Sequence, residues 1–243
     1  MKEKENMERK KAKEEKVEKK EAELICCGDG EKPCDGKKDK EGRQARQLIW
    51  ILATVGIIFI AFIGGYFYIK SLDKFSYGGV NWEKIKEGSL TLYYSRFQVS
   101  TNQYYNLYLR NDPRENKIPI INTTFKFHSN VIASLEPDAG NCREATLGQV
   151  TLGQFLTGIG VSSVRGALSD EKMAKAMNLT FANCSFATNQ TTIILIKKTN
   201  ETSIQPGENS NCYVINAGDC KNVESIEKFA IGVIAQSKNV KIN

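Results

Sequence analysis

The segment LIWILATVGIIFIAFIGGYFYI, residues 48–69, decides how the rest of the chain is read. Its 22 residues, from Leu48 to Ile69, include no charge, no Pro, no Asn and no Gln. A helix of that length rises about 33 Å, enough to cross a hydrocarbon core of about 30 Å. In lipid a backbone must satisfy its own hydrogen bonds, so one membrane-spanning helix is expected. A buried core helix would carry a polar stripe, and none is visible. A signal peptide has a shorter apolar region, a short basic start and small residues at its cleavage site. Here 47 residues precede the segment and Lys70-Ser71-Leu72-Asp73 follows it. The stretch therefore reads as a retained signal-anchor of a single-pass membrane protein, with the bilayer as its first partner.

Working outward, the 15 residues before the span hold Lys37, Lys38, Lys40, Arg43 and Arg46, and the 15 after it hold Lys70, Lys74 and Lys84. That bias favours a cytoplasmic N-terminus. Trp50 and the pair Tyr66 and Tyr68 suit the two interfaces. All N-x-S/T sequons follow the span, at Asn122, Asn178, Asn183, Asn189 and Asn200, and such Asn are glycosylated only outside the cytoplasm. Two or three sequons are expected by chance in so Asn- and Thr-rich a tail. Four Cys, Cys142, Cys184, Cys212 and Cys220, also follow the span, an even number that suggests disulfides in an extracytoplasmic domain.

Residues 1–47 read as a charged cytoplasmic tail. They contain 15 Lys and Arg against 13 Asp and Glu, a net of +2. Interleaved Glu would cancel attraction to phosphate, so neither nucleic acid nor anionic lipid is expected as a partner. Met7, Ala12, Val17 and Ala22 fall five apart and make no coiled-coil seam. The Cys/Gly linker ICCGDGEKPCDG offers Cys26, Cys27 and Cys34 as weak metal candidates. Two are adjacent, no His accompanies them, and a structural zinc site needs a fourth ligand. Free thiols are the plainer reading, and no cofactor is expected. Within the span, Ala61 and Gly65 form a small-xxx-small pair through which two helices could approach as a homo-oligomer.

Residues 70–88 read as a tether, and residues 89–243 as one α+β domain large enough to bury a core. Strand patterns appear at 90–99, 104–110, 120–127 and 131–135. Leu152, Phe155, Leu156 and Ile159 form a helical stripe within 146–161, where Gly148 and Gly153 permit close packing or a bend. Ser169 followed by Asp170 and Glu171 starts a helix over 169–177. TTIILIKK at 191–198 is the strongest strand, 212–216 is another, and 223–236 is a closing helix with Ile226, Phe229, Ala230 and Val233 inward. The turn residues Asn216 to Asp219 favour a Cys212–Cys220 disulfide, leaving Cys142–Cys184 as the second.

TTIILIKK, NCYVIN with its following turn and helix, and YNLYLRNDPREN at 105–116 together resemble single-span envelope proteins seen in small archaeal genomes. The resemblance spans most of the tail. It implies the same topology and compartment and brings no function with it.

The chemical inventory is thin. His128 stands alone, which excludes a His-rich metal site. S-x-x-K occurs at Ser71/Lys74, Ser169/Lys172 and Ser225/Lys228, without the S-D-N and K-T-G elements of penicillin-recognising enzymes. No Walker loop, G-x-G-x-x-G, H-E-x-x-H or G-x-S-x-G is present. Arg110 and Arg114 flank an Asp-Pro turn and are candidates for binding an anion. Tyr93, Tyr94, Tyr104, Tyr105 and Tyr108 pack across a hairpin, or present an outer face to glycan or protein. The expected function is a non-catalytic, membrane-anchored binding or assembly module of the cell envelope, meeting an envelope protein or glycan outside the membrane. The alternative is an anchored hydrolase acting through Ser169 or acidic residues.

Overall fold

The computed structural model describes the backbone of residues 38–242 and the side chains of residues 46–242. Most of the charged tail, with Cys26, Cys27 and Cys34, lies outside the described residues. Helix α1, Lys38–Leu72, contains residues 48–69 whole. Its apolar part, Arg46–Leu72, is long and apolar enough to cross a membrane, and none of it is buried. Its hydroxyls bond within the helix, Thr54 Oγ1 to Trp50 O and Ser71 Oγ to Tyr68 O, each at 2.7 Å. The chain divides into two units within this helix, after Ile63.

The domain that follows is mixed α+β. It begins earlier than the sequence suggests. Residues 70–88 are no tether, because they supply β1 (Lys74–Tyr77) and β2 (Val80–Glu87). Tyr77 pairs with Val80 across Gly78 and Gly79, whose φ values of 61° and 80° make the tight turn that a twisted hairpin needs. Trp82 in β2 is 1% exposed, and its indole N–H donates to Tyr77 O at 3.0 Å. β3 (Leu90–Ser100) and β4 (Gln103–Leu109) complete an antiparallel meander in the order β1-β2-β3-β4.

A second sheet has the order β6-β5-β7-β9-β8. β5 (Asn130–Leu135), β6 (Ser163–Leu168), β7 (Thr191–Thr199) and β9 (Cys212–Gly218) run parallel, and β8 (Ser203–Pro206) is an antiparallel edge. Five consecutive buried residues in β7, Thr192 to Ile196, are what a strand covered on both faces requires. The short helix α2 (Pro137–Gly140) follows β5, and α3 (Ala145–Gly158) crosses to β6. α4 (Glu171–Ala176) leads towards β7, and α5 (Asn222–Ser237) follows β9. Asp170, not Ser169, caps α4, by accepting from Met173 N at 2.8 Å.

One core joins α3 and α5 to both sheets. It contains Trp82, Phe97, Leu107 and Leu109 of the first sheet, Ile194, Ile196 and Ile215 of the second, and Leu152, Phe155, Ile226 and Phe229 between them. Gly148 permits this approach, since a Cβ there would stand 2.8 Å from Ile226 Cδ1. Gly153 faces open space. The opposite face of the second sheet has a smaller core of Ala167, Ala182, Ala187, Ile193, Leu195 and Cys212.

Residues 120–127 alternate like a strand yet pair only through the bridge Ile120↔Ile204. Side chains take the place of a neighbouring strand. Gln236 accepts from Phe125 N at 2.7 Å and donates to Phe125 O at 2.8 Å, and the Tyr213 hydroxyl accepts from Lys126 N at 2.7 Å.

The disulfides are Cys142–Cys220 and Cys184–Cys212, both with Cα atoms 5.4 Å apart. This corrects the pairing that the spacing favours. β9 runs from Cys212 on through Asn216 and Ala217 to Gly218, so about 20 Å of strand separates Cys212 at its start from Cys220 beyond its end. The turn falls later, at Asp219 and Cys220, whose φ values are 49° and 61°.

Candidate functional site

Alternation in β3 and β4 sends successive side chains to opposite faces. Ser95, Phe97, Leu107 and Leu109 are buried, so Tyr94, Arg96, Asn106 and Tyr108 face outward. Register then brings them together, with Tyr94 opposite Tyr108, Arg96 opposite Asn106, and Gln98 opposite Tyr104. The Tyr94 and Tyr108 rings have centroids 5.1 Å apart. The Tyr94 hydroxyl donates to Asn106 Oδ1 at 3.1 Å, and the Arg96 guanidinium sits 4.7 Å above the Tyr104 ring. Tyr104 remains 55% exposed and Tyr108 49%. Towards β1 the same face continues with Glu83, opposite Tyr94, and Lys74, opposite Glu83. A shallow depression of about 490 Å³ opens there, lined by Lys74, Asn81, Glu83, Tyr94 and Arg96.

Three outward tyrosines, an arginine without an ion pair among the described residues, and amides beside them form a flat surface rich in the residue types that dominate protein interfaces. Tyrosine loses little rotamer freedom on contact and offers both a ring and a hydroxyl. Tyr93 and Tyr105 are different. Their rings turn inward, Tyr105 against Phe97 at 5.8 Å and Phe155 at 6.3 Å, and burial pushes the Tyr105 hydroxyl pKa up.

A second groove, of about 580 Å³, lies over β7, β8 and β9, with Lys197, Asn216 and Gln205 in its lining and Glu208 at its wall. Its apolar floor, Leu195 and Val214, is already buried. The tyrosine face is the stronger candidate because Tyr104 and Tyr108 remain exposed on it.

The other sequence candidates disperse. Arg114 grips Asp112 with two bonds, Nε to Oδ1 at 3.0 Å and Nη2 to Oδ2 at 2.6 Å, and lies 3.9 Å above the Phe75 ring. Those bonds hold the Asp112 carboxyl below its usual range. Arg110 contributes its backbone N–H to Glu227, so the two arginines build no shared anion site. His128 Nε2 stands 3.2 Å from Asn211 Oδ1. The Ser71 and Ser225 hydroxyls donate to backbone carbonyls of Tyr68 and Lys221. Among the described residues, the Ser169 hydroxyl makes no hydrogen bond, and no group of three metal-ligating side chains occurs. Asn122, Asn178, Asn189 and Asn200 are exposed, whereas Asn183 is half-buried and its Oδ1 accepts from Ser185 N at 3.0 Å.

Sequence reasoning missed Glu227 and Lys228, which are 2% and 0% exposed in the middle of α5. Glu227 accepts from Arg110 N, Asn111 N and Asn111 Nδ2 at 2.5, 3.2 and 2.8 Å. Burial pushes its pKa up to about 7, against the pull of those donors. Lys228 Nζ donates to Asn116 O at 2.8 Å, and burial lowers its pKa. Together they clamp the 110–116 loop to the helix. The signal was present in FAIGVIA at 229–235, an apolar run with no polar stripe, which marks a helix buried all round.

No family model, curated protein or solved structure matches the chain, so nothing in these comparisons bears on the resemblance to archaeal envelope proteins.

Proposed function

We propose that the chain is a non-catalytic binding or assembly module of the cell envelope, anchored by residues 48–69 with its N-terminus in the cytoplasm and its domain outside. It meets an envelope protein or glycan with the outer face of the first sheet. The observation that carries this reading is the exposed Tyr104 and Tyr108, grouped with the half-buried Tyr94 and with Arg96 and Asn106 on one outward face. Two disulfides fit an oxidising compartment, and four exposed sequon asparagines fit the same side of the membrane.

Photo-crosslinking in intact source membranes tests the face. A benzophenone side chain in place of Tyr108 is expected to give a discrete adduct that the same probe at Lys198 does not, and Arg96→Ala is expected to weaken it. Identical adducts from both positions, or none from Tyr108, would sink the proposal. Protease added to right-side-out vesicles tests the topology. Digestion of the domain with residues 1–47 spared is expected, and a protected domain overturns the orientation.

A further inference from the structure

The two sheets have four edges, and three of them are blunted. β1 is only four residues long and carries Lys74. β8 ends in Pro206 and is covered by the 119–121 segment, with Ile121 N donating to Ile204 O at 2.8 Å and Ile204 N to Pro119 O at 2.9 Å. β6 carries the exposed Arg165 and is closed at its end by Leu168 N to Thr180 O and Ala182 N to Leu168 O, at 2.9 and 3.0 Å. β4 is the exception. Its seven residues, QYYNLYL, contain no charge and no Pro, and it is the last strand of its sheet. Among the described residues no hydrogen bond reaches its outward backbone groups. Long uncharged edges template strand pairing, which is why proteins ordinarily blunt them.

We infer that β4 is an interface between two copies of this chain, paired antiparallel about a two-fold axis through Asn106 into a continuous eight-stranded sheet. The strand is complementary to itself in that register. The axis sets Tyr104 of one copy opposite Tyr108 of the other, Asn106 opposite Asn106, and Tyr105 opposite Leu107. Residues opposite each other across an antiparallel pair share a face. Tyr104, Asn106 and Tyr108 therefore stay outward in both copies, while Tyr105 and Leu107 stay inward. No like charges meet, and aromatic cross-strand pairs are favourable. A two-fold contact of one patch with itself closes at two copies and leaves no further β4 edge exposed. The pairing also sets two tyrosine faces side by side, which raises avidity for a repeating partner without any new contact.

Full-length protein in detergent, with Cys26, Cys27 and Cys34 changed to Ser, carries the test. Asn106→Cys places two thiols across the axis at a Cα separation of about 4.5–5.5 Å, inside the range a disulfide accepts. Mild oxidation is expected to yield a reducible species of twice the 27.2 kDa chain mass. Gln98→Cys, on the outer face of β3 and one strand removed from the contact, is expected to give no such cross-linked species under the same treatment. Without oxidant, Asn106→Lys should convert a dimer to a monomer by light scattering, with an unchanged circular dichroism spectrum. Cross-linking at 106 no greater than at 98 overturns the inference. So does a dimeric mass that survives Asn106→Lys, since it would place the contact elsewhere, for example along α1.

Discussion

The two sheets solve the same burial problem in opposite ways. The first has one face on the core and one in water, so its strands alternate. Phe97 is 7% exposed and Leu107 2%, while Tyr104 and Tyr108 on the other face are about half exposed. The second sheet is covered on both faces along its centre, so β7 reads as an unbroken run from Thr192 to Ile196. Antiparallel sheets tolerate a wet face and parallel ones do not. The sheet with the wet face is also the one whose surface residues are free to serve a partner. In the second sheet, sequence is spent on packing and on two disulfides.

Removing what the sheets share should have the largest effect. Phe229 of α5 is fully buried and touches Phe125 at 4.9 Å within the core that joins both sheets. Phe229→Ala should lower stability by about 3–5 kcal/mol. Denaturation followed by far-ultraviolet circular dichroism should show one transition moved to lower denaturant. Two separated transitions would mean that the sheets unfold independently. The disulfides come next and should differ. Cys142–Cys220 closes a separation of 78 residues and Cys184–Cys212 one of 28. Chain-entropy arguments assign about 4.5 and about 3.6 kcal/mol, on an account that is itself model-dependent. Cys142→Ser with Cys220→Ser should therefore cost more than Cys184→Ser with Cys212→Ser in urea midpoints. The reverse order would show that strain or local packing outweighs loop length.

The link between the 110–116 loop and α5 should be pH-sensitive. Glu227 titrates at about 7 in the folded chain against 4.5 for an ordinary glutamate, mainly because it is buried. The folded state thus holds this proton more tightly than the unfolded one. Its contribution is fully present below about pH 4.5 and is lost as pH rises through about 7. The whole effect is on the order of 3 kcal/mol. Wild-type stability should fall between pH 5 and pH 8, and Glu227→Gln should flatten that slope even if it lowers stability at every pH. An unchanged slope in the variant would assign the pH dependence to another group.

Much of this architecture was legible where period and length agreed. TTIILIKK, the 131–135 strand and the closing helix are long enough for pattern to dominate. Residues 70–88 were illegible because β1 is only four residues long and Trp82 is followed by charged Glu83 and Lys84. Its Gly78-Gly79 turn was the clue. Ser163–Leu168 escaped because an edge strand tolerates Arg165 and Gly166. Residues 120–127 had the right period but lacked a partner strand, which only tertiary structure decides. The candidate face was half legible. The tyrosines could be found in the sequence, but which two turn inward depends on the register of β3 against β4. The disulfides failed for a related reason, since turn-forming residues between Cys212 and Cys220 belong mostly to strand.

The smallest expected effect is the sharpest test of the contrast between the two faces of the first sheet. Tyr94 and Tyr108 contact each other only on the wet side, with centroids 5.1 Å apart. Exposed cross-strand aromatic pairs contribute about 0.2–1 kcal/mol relative to Ala–Ala. A double-mutant cycle on Tyr94→Ala and Tyr108→Ala should therefore give a coupling energy under about 1 kcal/mol by thermal or urea unfolding. The inward pair Phe97 and Tyr105, at 5.8 Å, provides the control. Phe97 is buried in the core and Tyr105 packs on Phe155, so each inward truncation leaves a cavity and those single variants should each cost at least twice as much. If the outer pair instead proves as costly as the inner one, the outer tyrosines are structural and the case for a partner there weakens. If the outer variants fold normally and lose the photo-crosslinked adduct, the rings are retained on that face for contact.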